Sequence, residues 1–214
     1  MICVDSKSSD LDKIARIHVK TFSDSLSSRL GFKYCRKMIS WYLEDERGEL
    51  FHLVESGEIL GYCGGLSITV PGKHGSATSV TQFSFKELIT SFIFRPWLVF
   101  HPEIRKRLPF IWKNLKLRLG LSRMNKQKKI TDTVKPFVPS MGLVVIGVLP
   151  ECQGKGYGSV ILKEFERRAR EKGFKQINLS VKKENEQAIA AYMKNGWLIS
   201  STGEEELSMH KILT

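Results

Sequence analysis

Leu143-Val-Val-Ile-Gly-Val-Leu-Pro-Glu-Cys-Gln-Gly-Lys-Gly-Tyr-Gly-Ser159 is the stretch from which the rest of the chain can be read. Its first part, Leu143 to Val148, is almost continuously apolar, as in a strand buried on both faces. A glycine-rich turn follows, then a helical pattern from about Gly156 to Lys172, ended by Gly173. The N–H groups at a helix N-terminus lack partners inside the helix, and the helix dipole favours negative charge there. Glycines let that backbone approach a bulky anion, so the turn suits a phosphate or pyrophosphate. The alternative is a tight strand-to-helix turn that binds nothing. Two phosphate motifs are excluded. A P-loop needs GxxxxGK before Ser or Thr. A dinucleotide fingerprint needs Gly or Ala where this turn, read from Gly154 and Gly156, has Ser159.

Downstream, Ile177 to Val181 reads as a strand, and Asn185 caps a helix ending near Asn195-Gly196. Trp197 to Ser200 and Glu205 to Ile212 form a closing pair of strands. Upstream, Ile2 to Val4 is a short strand. Ser9 is placed to cap a helix carrying Leu11, Ile14, Ala15, His18, Val19 and Phe22 at helical spacing. A second helix spans about Phe32 to Leu43. Glu49 to Val54, Ser56-Gly57 and Ile59 to Ile68 read as a β-hairpin, with Gly61, Gly64 and Gly65 marking a close backbone approach. Pro71 to Ser84 reads as a loop. Helices are expected over Phe85 to Phe94 and Glu103 to Leu121, the second kinked or restarted at Pro109, before a basic stretch from Lys126 to Lys135. No internal repeat is present.

Gln153-Gly154-Lys155-Gly156-Tyr157-Gly158 resembles the Gln/Arg-x-x-Gly-x-Gly/Ala signature of the GNAT superfamily of acetyl-CoA-dependent N-acetyltransferases. Val145-Ile-Gly-Val-Leu-Pro150 is similar to that family's fourth strand and its proline. Asn185-Glu-Gln-Ala-Ile-Ala-Ala-Tyr-Met-Lys-Asn-Gly-Trp197 is similar to its Asn-x-x-Ala-x-x-x-Tyr-x-x-x-Gly-Phe segment, with Trp197 for the commoner Phe. The resemblance covers roughly residues 142 to 200. It implies an α/β (α+β) fold: a mixed twisted sheet flanked by helices, forming one N-acetyltransferase domain over residues 1–214 with an insertion at about 71–138.

The resemblance also implies a cofactor site. Backbone groups of Ile146, Gly147 and Val148 lie on the strand that hydrogen-bonds the pantetheine arm of acetyl-CoA as an added strand. Gln153, Gly154, Lys155, Gly156, Tyr157, Gly158 and Ser159 form the pyrophosphate turn. Asn185 contacts the cofactor. Tyr192 stands near the thioester sulfur, as a proton donor to the departing thiolate, with CoA as product. Read alone, Asn185 is a plain helix cap and Tyr192 a core aromatic. The expected reaction is direct attack of a neutral amine on the thioester carbonyl, with a strand N–H stabilising the oxyanion. No carboxylate lies in Leu143 to Val148 to serve as the base. His18, His52, His74 and His101 are candidates, none singled out.

The chain has 214 residues, 42% hydrophobic and 26% charged, with a net charge of +12. These are globular proportions, and a wholly disordered chain is excluded. The charge is local: Glu103 to Lys135 holds eleven basic and two acidic residues. Its basic face is either solvated, or laid on an anionic membrane surface with Phe92, Phe94, Trp97, Phe100, Phe110 and Trp112 at the interface, or matched to an anionic acceptor such as a nucleotide-linked sugar. No nucleic-acid motif is present. Cys3, Cys35, Cys63 and Cys152 show neither zinc spacing nor a disulfide framework, so no metal is expected. No secretory signal or membrane span is read. The expected place is the cytoplasm, peripheral to the inner face of the membrane if the insertion binds lipid.

Ile17-His-Val-Lys-Thr-Phe22 with Leu30-Gly31 is similar to bacterial GNAT proteins associated with surface-polysaccharide synthesis. That implies an amino-sugar acceptor. A polyamine, an antibiotic amine or a protein amine, or a non-catalytic acyl-CoA-binding role, are the alternatives.

Overall fold

The structure, a computed structural model, describes residues 1–70, 80, 82–100 and 137–213. Its strands are β1 (Ile2–Asp5), β2 (Gly48–Glu55), β3 (Glu58–Ile68), β4 (Ser140–Val148), β5 (Gln176–Lys182), β6 (Leu198–Thr202) and β7 (Glu206–Ile212). Its helices are α1 (Leu11–Thr21), α2 (Leu26–Leu30), α3 (Phe32–Glu44), α4 (Phe85–Phe94), α5 (Tyr157–Glu171) and α6 (Glu186–Lys194). The strands form one sheet in the order β1-β2-β3-β4-β5-β7-β6. Every neighbouring pair is antiparallel except β4 and β5, which are joined by the α5 crossover and run parallel.

Period-two alternation sorts the strands onto two cores. Phe51, Leu53, Met141, Leu143, Ile177, Leu179 and Met209 pack with Ile161, Leu162 and Phe165 of α5 and with Trp197. Leu50, Tyr62 and Leu66 pack on the other face with Ile14, Ile17, Ile39 and Trp41 of α1 and α3. Each large apolar side chain buried this way is worth about 1.5–3 kcal/mol. The glycines of β3 permit the close approach expected of them. A Cβ at Gly65 would stand 2.6 Å from Phe165 Cε2, and one at Gly61 2.8 Å from Ile161 Cδ1.

Several expectations change. Ser9 does not cap α1; residues Ser8–Asp10 form a 3-10 turn, and the Asp10 carboxylate accepts from the Lys7 N–H at 2.8 Å. The loop expected from Pro71 to Ser84 becomes helical backbone by Val80, whose carbonyl accepts the Ser84 N–H at 3.0 Å; residues 71–79 lie outside the described residues. So do the helix expected over Glu103 to Leu121, the basic stretch after it, and His74 and His101. Helix α2 was not anticipated, although Ser25 caps it by accepting the Ser28 N–H. The fourth strand is not buried on both faces throughout: Val144 is 41% exposed.

Candidate active site

That exposure has a geometric cause. Gly64 of β3 faces Val145 and Gly65 faces Leu143, so Val144 is an extra residue, a β-bulge in β4. On its other side β4 pairs with β5 only over Met141, Gly142 and Leu143, opposite Ile177, Asn178 and Leu179. The two parallel strands therefore part where the bulge begins. From Val144 to Val148 the β5-side edge of β4 carries no strand among the described residues. Leu149 donates its N–H to Leu60 of the β3 side. Alternation then turns the backbone groups of Ile146 and Val148 toward the split, and those of Gly147 toward β3. The Val148 carbonyl is already taken, by Gln153 Nε2 at 3.0 Å and Thr21 Oγ1 at 3.1 Å. What remains on that edge is the Val148 N–H and both groups of Ile146.

The split leads to the turn before α5. Gly154 and Gly156 sit at φ +75° and +89°, which side chains rarely adopt. Gly158 is different. Its φ is ordinary, and beyond its chain neighbours and its own helix backbone no atom among the described residues lies within 4 Å of where its Cβ would stand. Nothing in the described protein requires glycine there, whereas a ligand approaching the first turn of a 15-residue helix would. Gln153 ties the turn back to β4 through its bond to Val148, Lys155 is exposed, and Tyr157 donates from its hydroxyl to Glu55 Oε2. Ser159 accepts a bond from Asn195 Nδ2 at 3.0 Å, which braces α5 against α6.

Asn185 and Tyr192 lie on one helix as expected. Asn185 is an exposed helix cap whose Oδ1 accepts the Ala188 N–H at 3.1 Å, leaving its Nδ2 for other bonds. Tyr192 is 7% exposed and packs in the α5-side core, its ring 5.9 Å from that of Trp197. Its hydroxyl forms no hydrogen bond among the described residues, and burial pushes its pKa well up, so it holds its proton.

The histidines separate clearly. His18 is buried between Tyr62, whose hydroxyl meets its Nδ1, and Ser27, whose Oγ lies 2.9 Å from its Nε2. Burial pushes it down to about 4, so it is neutral near pH 7. His52 Nδ1 is bonded to Ser6 Oγ at 2.8 Å, and burial lowers its pKa too. Both are satisfied core groups. His210 was missed by the sequence reading. It lies on β7 opposite Asn178, and its Nδ1 is buried with no partner among the described residues. Its signal was alternation along Glu205 to Ile212, which sets His210 on the face away from Met209.

Comparison with known proteins gives a family match over part of the chain and a likeness of fold. Residues 125–197 match the family of acetyltransferases designated GNAT. No curated protein matches the sequence. Among solved structures, a putative GNAT-family acetyltransferase from Desulfovibrio desulfuricans is 10% identical and superposes with a TM-score of 0.59, covering 100% of this chain and 99% of that one. The ribosomal-protein-S18-alanine N-acetyltransferase of Escherichia coli is 14% identical, with a TM-score of 0.56 and coverage of 100% and 94%. The PaiA N-acetyltransferase of Thermoplasma acidophilum, solved in complex with coenzyme A, is 12% identical, with a TM-score of 0.57 and coverage of 99% and 98%. At these identities the likeness is one of fold.

Proposed function

We propose that this chain, whose residues 125–197 match the GNAT family and whose sheet has that family's fold, is an acetyltransferase that acts on the primary amine of a small acceptor, an amino sugar. It acts as one N-acetyltransferase domain interrupted between β3 and β4. The carrying observation is the coincidence of three features: the end of β4–β5 pairing at Leu143, the bulge at Val144, and the open cradle at Gly158.

These residues fit acetyl-CoA, which when bound supplies an acetyl group activated as a thioester. Ile146 and the Val148 N–H would hold the pantetheine arm along the unpaired edge of β4. The N–H groups from Gly154 to Ser159 would hold the pyrophosphate, with Lys155 beside them and Gln153 fixing the turn. The free Nδ2 of Asn185 is its donor to the same ligand. Backbone N–H groups at the Val144 bulge would be the donors for the oxygen on which charge develops. Tyr192, which burial keeps protonated, would be the residue that supplies a proton to the departing thiolate. The amino-sugar assignment rests on the resemblance of Ile17 to Phe22 with Leu30-Gly31.

The test is calorimetric titration of the full chain with acetyl-CoA and with CoA, repeated on Gly156→Trp. Binding abolished by the substitution supports the reading, and amine acceptors are then screened, amino sugars first. No binding by folded wild type overturns it.

A peripheral contact with an anionic membrane is a second reading. It is favoured by Phe94, Trp97 and Phe100, all more than half exposed beside Arg29 and Arg95. Sedimentation with phosphatidylglycerol vesicles, compared between the full chain and Trp97→Ser/Phe100→Ser, tests it. Equal, negligible binding removes it.

A further inference from the structure

The β4–β5–β7 part of the sheet has two unlike faces. Leu143, Leu179 and Met209 turn to the core under α5. The alternate residues turn the other way, and they are polar: Asn178 and Ser180 of β5, Ser208 and His210 of β7, with Ser140 of β4 beside them. Register sets them in rows. Gly142, Asn178 and His210 stand directly opposite one another on adjacent strands, and Ser180 stands opposite Ser208. Two strand spacings separate the first and last Cα of that row, about 10 Å. A groove of about 880 Å³ lies over this face, and Val144 of the bulge lines it.

The groove is thus continuous with the point where β4 and β5 part, on the face away from α5. Its chemistry is specific. Asn178 Nδ2 donates to Ser140 Oγ at 2.8 Å, which fixes the amide. Gly142 contributes no side chain, and a Cβ there would stand 3.0 Å from Asn178 Oδ1. His210 brings a ring whose Nδ1 is buried without a partner among the described residues. A buried unpaired polar atom is costly, and a ligand's hydrogen bond would relieve that cost. Among the described residues lining the groove there is no Asp, Glu, Lys or Arg. A polyamine or other polycation would find no counter-charge there. A sugar-like ring would find hydroxyls, the amides of Gln176 and Asn178 and an imidazole to match its hydroxyls, and Leu66, Ile68, Phe137 and Val138 to meet its carbon face.

We propose that this groove is the acceptor pocket of the reaction proposed above, on which the inference rests, and that it takes a polyhydroxylated ring bearing one amine and no other ionisable group. His210 and Asn178 are its specificity-determining residues: they hydrogen-bond the ring hydroxyls and so direct the amine to the Val144 bulge. No bond is made or broken by either residue.

The experiment measures binding to the CoA-loaded full chain by calorimetry, with glucosamine, spermidine and a short peptide with a free N-terminus as probes. The wild type is expected to bind glucosamine and to bind the other two at least about tenfold more weakly. His210→Leu, which keeps bulk and removes both nitrogens, is expected to weaken glucosamine about tenfold. His210→Gln, which can still donate and accept, should recover most of that loss. Acetyl-CoA affinity should stay within about twofold of wild type in both variants, which separates loss of the pocket from loss of the fold or the cofactor site. Unchanged glucosamine affinity in His210→Leu would overturn the assignment of the residue. A wild type that binds acetyl-CoA but prefers spermidine or the peptide, or takes up no glucosamine, overturns the pocket's proposed class. Failure to bind acetyl-CoA removes the acetyltransferase reading instead, and this inference with it.

Discussion

Leu143 of β4 and Leu179 of β5 are the last pair at which the two parallel strands run together, and the residue after Leu143 is the bulge. Both leucines are buried against α5. They pin the strands at one end, so the split opens at a set place. Backbone groups that would satisfy one another in a continuous sheet have no strand partner there among the described residues.

The glycines of the turn should separate by substitution. Gly156→Ala puts a side chain at φ +89° and should cost about 1–2 kcal/mol of stability in urea unfolding. Gly158→Val enters open space at an ordinary φ and should leave stability nearly unchanged. It should nonetheless weaken acetyl-CoA at least about tenfold in calorimetry. Intact affinity in folded Gly158→Val would mean that the cradle is empty space.

Tyr192→Phe removes a hydroxyl that bonds to nothing among the described residues, so thermal stability and CoA affinity should not change. Turnover should fall by about 10²-fold if the phenol supplies the proton. Unchanged turnover with a good acceptor would reduce Tyr192 to a core aromatic packed on Trp197.

Acid should destabilise the fold through His18. Its pKa is 6.5 when exposed and about 4 when folded, so between those values the unfolded chain binds more protons. Stability is therefore full above about pH 6.5 and falls as the pH drops toward 4, by up to about 3 kcal/mol. His52, also lowered by burial, acts with the same sign. Urea midpoints between pH 7 and pH 4.5 should show the fall, and a shallower one in His18→Gln. Equal slopes in the two proteins would remove His18 as the cause.

Lys211 turns away from the groove to Glu166, which is 5% exposed, and bonds it at 2.8 Å while also donating to the Asn195 carbonyl. Lys211→Met leaves that carboxylate buried with Arg170, at 4.0 Å, as its one near cation among the described residues. A loss of about 3 kcal/mol is expected from denaturant unfolding. The double variant Lys211→Met/Glu166→Leu should recover much of it, since removing both charges leaves no uncompensated one. No recovery would place the cost in packing instead.

Much of the fold, and the segments that half of the proposed site draws on, could be read in advance for a common reason. The turn from Gln153 to Ser159 and the helix from Asn185 to Tyr192 are contiguous segments, and their chemistry depends on near neighbours in the chain. A helix start offers N–H groups whatever the rest of the molecule does. Their residue types and spacing were therefore sufficient to point to an anion site. The same locality explains the hairpin at Ser56-Gly57, the crossover through α5 and the end of that helix at Gly173, which takes φ +79°.

What escaped the reading depends on register. Alternation along β7 showed that His210 and Met209 face opposite ways, but not which strands flank β7, so His210 could not be set beside Asn178 and Gly142. The apolar run from Leu143 to Val148 gave no sign that one residue would bulge out, because a bulge is defined by the partner strand. The satisfied states of His18 and His52 depend on Tyr62 and Ser6, 44 and 46 positions away. Near-neighbour chemistry needs only the order of residues along the chain. A groove shared by three strands exists only once pairing has fixed which side chains stand in one row, and that choice is made by the packing of the whole sheet on its two sets of helices.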